Sequence, residues 1–128
     1  MNENSLQSFA DSWLASWTGN RPDVLIEFYS QNAFYLDPAK PKGLSGKEDI
    51  FSYFKKLLQK NPNWKWTRKE IFPTEKGFTL KWKAEIPIEN ENLILFGLDI
   101  VEMTGDKISR NEVYFDRYDW LMKMTINK

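Results

Sequence analysis

Two aspartates in this chain sit where strands leave or cross an apolar core. Asp37 ends the run "FYLD" at 34–37 and is followed by a loop bearing Pro38, Pro41 and Gly43. Asp99 lies inside "ILFGLDIVE" at 94–102, where strand alternation puts it on the face of Gly97 and Val101. An unpaired carboxylate in a core is costly, so Asp99 must be neutral, hydrogen-bonded or turned toward a wet cavity. For Asp37 two readings stand side by side. It is a general base at a cavity mouth, or an Asx residue accepting backbone N–H bonds within its own turn. The sequence has no histidine and no cysteine. Ser-His-Asp triads, Cys-His dyads, His-based zinc sites and disulfides are therefore excluded. Any acid or base must be Asp, Glu, Tyr or Lys.

The elements that must hold these residues follow from periodicity. Residues 4–18 read as an amphipathic helix with Leu6, Phe9, Ala10, Trp13, Leu14 and Trp17 on one side. Gly19 is placed to end it, and Pro22 suits the first turn of a second helix over 22–30 that turns Val24, Leu25 and Phe28 inward. A strand over 33–37 and the proline-bearing loop come next. Ser45 and Glu48 have capping-box spacing at the start of a third helix, 46–60. The period then changes. Residues 64–72 look extended, and 77–88 alternate cleanly, Phe78, Leu80, Trp82, Ala84, Ile86 and Ile88 against polar neighbours. The strand 93–104 is apolar on both faces, so Phe96, Leu98 and Ile100 need a cover from helices or another subunit. "TGDK" at 104–107 makes a hairpin turn into a last strand, 108–116. Residues 118–126 fit either a short helix or a strand extension. Helices first and a meander of long strands after give an α+β fold, with helices packed on one face of a curved, mainly antiparallel sheet.

At 128 residues the chain has the length of one domain, taken as 1–128. It is 41% hydrophobic and contains six tryptophans, whose ring area must pack in a core, a pocket wall or an interface. Eighteen basic and eighteen acidic residues cancel, which gives no electrostatic footprint for nucleic acid. "NWKWTRK" at 63–69 interleaves aromatics with cations. A strand with one buried and one wet face explains that pattern more simply than a stacking platform does. "MNENSLQSF" has neither a basic segment nor a long apolar one, and no run approaches a membrane span. The expectation is a soluble, cytoplasmic protein with no nucleic-acid or membrane partner.

The order of these elements resembles the nuclear-transport-factor-2-like superfamily, which includes SnoaL-like polyketide cyclases and ketosteroid isomerases. The landmarks are the Trp13–Trp17 helix, "FYS" at 28–30, "FYLDP" at 34–38, Gly46, "FGLDIVE" at 96–102 and "GDKISRNEVYFDR" at 105–117. The resemblance implies a conical half-barrel around an apolar cavity. It also implies a homodimer through the outer sheet face, where Phe96, Leu98 and Ile100 would be covered.

The resemblance further implies roles. Asp37, with Pro38, matches the isomerases' general base, and its spacing to Gly46 and back to Trp13 agrees with theirs without a gap. Asp99 matches a carboxylic acid kept neutral to donate a hydrogen bond to a developing enolate. Trp13 stands where those enzymes carry the tyrosine that completes the oxyanion hole, and Phe54 where some carry a supporting tyrosine. The limonene-epoxide-hydrolase branch fits worse, because Val113 occupies the place of an aspartate it needs. The expected cavity has an aromatic wall of Trp13, Trp17, Trp82 and Phe115. Phe54, Leu58, Leu80, Gly97, Val101 and Asn111 complete its lining. Glu112, Tyr114, Asp116 and Arg117 read as a polar network or surface ion pairs.

Two functions follow as expectations. One is a domain that binds an apolar, ring-sized molecule and acts as an isomerase or cyclase, with Asp37 moving a proton next to a carbonyl. That reaction class requires no cofactor or metal. The other is a non-catalytic dimeric module for association or for sequestering a metabolite.

Overall fold

Strands take the largest share of the chain, most of them built from alternating apolar residues. The computed structural model describes residues 2–126. They form α1 (Glu3–Ala15), α2 (Pro22–Ile26), β1 (Tyr29–Asp37), β2 (Lys40–Ser45), α3 (Lys47–Lys60) and β3 (Lys65–Pro73). The chain continues with β4 (Gly77–Ile88), β5 (Glu91–Thr104), β6 (Lys107–Tyr114) and α4 (Tyr118–Ile126). The strands make one sheet in the order β2-β1-β6-β5-β4-β3, antiparallel at every junction except β1 with β6. Its two edges, β2 and β3, do not meet, so the sheet is unclosed. Register breaks between Tyr35 and Asp37, Arg68 and Glu70, and Glu102 and Met103 bend it.

The core lies between the inner sheet face and helices α1 and α3. Trp13 of α1 meets Phe78 edge-on at 6.4 Å, and Trp17, just past the helix, meets Phe54 of α3 at 4.9 Å. Tyr29 and Tyr35 of β1 press edge-on against the other sides of Phe54, at 5.3 and 5.1 Å. Such pairs add about 0.5–1.5 kcal/mol each beyond the area they bury. Fixed rings of this size leave little freedom in where the neighbouring strands sit.

Several boundaries differ from the sequence reading. Helix α1 stops at Ala15, and Trp17 packs from the turn that follows. Helix α2 lasts only five residues, because Tyr29 already belongs to β1, and Val24 faces solvent. The loop after Asp37 is mostly strand: Lys40–Ser45 pairs antiparallel with β1, Tyr35 opposite Leu44. Its side chains do not alternate in hydropathy, and none of them is buried. The capping box does not form; the N-cap of α3 is Gly46, at φ 94°, with no side-chain cap. A positive φ there suits glycine, and Ser45 is committed to β2. Residues 118–126 are the helix α4.

The outer face of β5 is uncovered within the protomer. Ile94, Phe96 and Leu98 are exposed, Phe96 by 56%, and Tyr114 lies opposite Leu98 on β6. No described helix is long and apolar enough to cross a membrane.

Candidate functional site

A pocket of about 70 Å³ opens at the end of the core where α1, α3 and α4 approach the sheet. Trp17, Trp64, Trp66, Trp82, Phe115 and Trp120 are among the rings that line it. Both aspartates line it: Asp37 from the end of β1 and Asp99 from the middle of β5. Each is almost fully buried.

Asp37 divides its two oxygens between turn and pocket. Oδ1 accepts the backbone N–H groups of Ala39 (2.9 Å) and Lys40 (3.0 Å), which is the Asx turn joining β1 to β2. Oδ2 accepts the hydroxyls of Tyr35 (2.8 Å) and Tyr53 (2.7 Å). A carboxylate has about four acceptor positions, and here four donors fill them. Burial and the Asp37 charge push the Tyr35 hydroxyl far above the ordinary tyrosine range. Burial, then the hydrogen bond to Asp37, does the same to Tyr53. Both tyrosines therefore stay protonated as donors.

Asp99 is held differently. Trp82 Nε1 donates to its Oδ1 at 2.8 Å and Asn111 Nδ2 donates to its Oδ2 at 3.1 Å. Neighbouring strands bring these three together, since Trp82 pairs with Gly97 and Asn111 with Val101, each two residues from Asp99 on the same face. Gly97 is required, because a Cβ there would lie 2.3 Å from Trp82 Cζ2. Behind Asn111, Tyr29 donates its hydroxyl hydrogen to Asn111 Oδ1 (2.8 Å) and accepts from Trp13 Nε1 (3.2 Å). An indole N–H can only donate, so the chain from Trp13 runs in one direction and presents the Asn111 amino group to Asp99. Burial raises the Asp99 carboxyl to about 7, against the opposing pull of its Trp82 and Asn111 hydrogen bonds. The Asp37 charge adds a smaller upward push.

Of the residues singled out in the sequence, Asp37, Asp99, Trp17, Trp82 and Phe115 meet at the pocket. Trp13 is fully buried one layer deeper and reaches Asp99 only through Tyr29 and Asn111. Phe54, Leu58, Leu80 and Val101 pack in the core beneath, and Gly97 seats the Trp82 ring. The sequence reading passed over Tyr35 and Tyr53, and it gave Arg117 to a polar network or surface ion pairs rather than to the pocket. Tyr35 was within reach of a simple rule, since residues two apart on a strand share a face and it stands two before Asp37. Arg117 follows the same rule past the end of β6: Val113, Phe115 and Arg117 all line the pocket. Glu112 instead pairs with Arg110 and Tyr114 on the outer side.

Solved structures share this architecture at low identity. A hypothetical protein with a ketosteroid-isomerase-like fold from Catenulispora acidiphila, in complex with trimethylamine, is 18% identical with a TM-score of 0.74. That match covers 84% of this chain and 85% of the other. A protein from Jannaschia sp. CCS1 assigned to the SnoaL-like polyketide cyclases is 8% identical with a TM-score of 0.79, covering 96% and 93%. TerC, co-crystallised with polyporic acid, is 11% identical with a TM-score of 0.77, covering 94% and 98%. The fold is the half-open nuclear-transport-factor-2-like cone. No curated protein matches the chain. The SnoaL-like domain family matches residues 10–111, and the chain belongs to that family.

Proposed function

We propose that this SnoaL-like domain binds a small, ring-bearing carbonyl compound in the pocket and moves a proton next to the carbonyl. One observation carries the reading. Both protein partners of Asp99 are donors, so neither can accept its acid proton, and the pocket is the direction left for it. A neutral Asp99 would donate to the carbonyl oxygen and stabilise the charge that develops there as an enolate forms. Asp37 would take the proton from the neighbouring carbon. Tyr35 is fixed in the core, so the half-buried Tyr53 hydroxyl is the one that must turn aside to free a lone pair. The small molecules held by two proteins of the same fold, trimethylamine and polyporic acid, are consistent with a binding role.

A set of cyclic β,γ-unsaturated ketones tests this, with conjugation followed by ultraviolet absorbance. Asp37→Asn should lower turnover by at least about 10²-fold while affinity, read from tryptophan fluorescence, stays nearly the same. Asp99→Asn should lower both. If no ketone is turned over and none changes the fluorescence, the reading fails.

A second reading is favoured by size. The pocket's 70 Å³ is well below the roughly 150 Å³ of an engineered cavity that holds benzene. Any ring must therefore project from the mouth. If nothing binds, the domain is an association module, its partner a second copy seated on the exposed Ile94, Phe96 and Leu98.

A further inference from the structure

We infer that the ligand is a ring-sized organic anion whose carboxylate pairs with Arg117 at the mouth while its other polar end reaches Asp99. This rests on the proposal that the pocket is the ligand site. Arg117 lines the pocket together with Val113 and Phe115, and it is half-buried. An arginine side chain is always charged and carries five donors in a planar fork. The other arginines all have acceptors. Arg68 pairs with Asp11 at 2.8 Å, Arg110 with Glu102 and Glu112, and Arg21 with the carbonyls of Ala15 and Thr18. Among the described residues, the Arg117 guanidinium has neither a hydrogen bond nor an ion pair.

The nearby carboxylate does not supply that missing partner. Asp37 lines the same pocket, but its oxygens are taken by Tyr35, Tyr53, Ala39 and Lys40. A second cation lies near the pocket: Lys40 Nζ is 5.4 Å above the ring of Tyr53, which lines it. A partly desolvated guanidinium without an acceptor is unfavourable in the empty protein and favourable once an anion arrives. Size supplies the geometry. Since a ring cannot be enclosed in 70 Å³, a molecule that touches Asp99 must extend outward past Arg117. A single guanidinium fork matches a singly charged, planar carboxylate.

The test compares 4-hydroxybenzoate with 4-hydroxybenzamide, which share a ring and a phenol and differ in charge. Binding to the full chain is read by tryptophan fluorescence about one pH unit below the Asp99 transition. The carboxylate should bind about tenfold tighter than the amide, and the difference should shrink with added salt. Arg117→Met should bring the ratio close to one, and Arg117→Lys should keep part of it, both without a change in melting temperature. Equal affinities in the native protein, or an unchanged ratio in Arg117→Met, would overturn the inference. If equal affinities are accompanied by weakening of both probes in Asp99→Asn, the pocket reading survives and only the anion assignment is lost. If neither probe binds, both are lost.

Discussion

The Asn111 amino group points at Asp99 because Tyr29 points at Asn111. The 2.8 Å bond from the Tyr29 hydroxyl occupies the Asn111 carbonyl oxygen and leaves only its N–H groups for the carboxyl 3.1 Å away. The protonation of Asp99 therefore depends partly on Tyr29 and Asn111, which do not line the pocket, beside its own burial and the Trp82 bond.

Its first consequence is a dependence of stability on pH. Asp99 is raised in the folded protein to about 7, from an ordinary value of 3.8. The folded state thus holds a proton that the unfolded state releases, and this group's contribution to stability falls as pH rises from about 4 through 7. Above that it is flat. The whole effect is about 4 kcal/mol at most. Denaturant titrations across this range should give a falling curve for the native protein, and the difference from Asp99→Asn should isolate the fall. A difference that rises with pH would contradict the assignment.

Removing the Tyr29 hydroxyl tests the directed chain. Tyr29→Phe leaves Trp13 Nε1 and Asn111 Oδ1 buried without their partner, a loss of about 1–3 kcal/mol. Asn111 is then free to turn. Losing a donor that favours the ionised carboxylate moves the Asp99 transition upward. Carbon-13 NMR of the Asp99 carboxyl measures this directly. An unmoved transition together with a lowered melting temperature would reduce Tyr29 to a packing role.

Gly97→Ala attacks the same carboxyl from the opposite side. The new methyl would lie 2.3 Å from the Trp82 ring, and Trp82 is almost fully buried. We expect a cost of about 1–3 kcal/mol, a changed Trp82 emission and an Asp99 transition raised by loss of its 2.8 Å indole bond. Wild-type stability in this variant would mean that the ring has another seat.

On the outer face, Phe96→Glu tests association. Phe96 is 56% exposed and flanked by Ile94 and Leu98. If that face joins two protomers, sedimentation should show a dimer for the native protein and a monomer for Phe96→Glu, each retaining its helix and strand signals. A native protein that sediments as a monomer at all concentrations would remove the dimer from consideration.

Legibility in the sequence followed how directly each residue's neighbours dictate its environment. β4 could be bounded at Gly77 and Ile88 because every second side chain is apolar. β2 was invisible: "KPKGLS" has no alternation and becomes a strand only because β1 offers it hydrogen bonds. The two aspartates stood out because a carboxylate interrupts each apolar run. That they share one pocket depends on the sheet's bend and on α4, and local pattern encodes neither. Tyr53 went unread for a similar reason. It sits one position from the fully buried Phe54, and only the packing of α3 against β1 brings its hydroxyl to Asp37.

The parallel seam between β1 and β6 has a further consequence, for assembly of the chain during synthesis. The Tyr29–Asn111 bond joins residues 82 apart. A ribosome that has released the chain only as far as Thr104 has exposed the β1–β2 hairpin and the β3–β5 meander without the strand that pairs with both. The sheet becomes continuous when residues 107–114 slide between β1 and β5. Contacts this distant make folding slow relative to local pairing. Until that last strand arrives, the apolar edge of β5 is open to other chains.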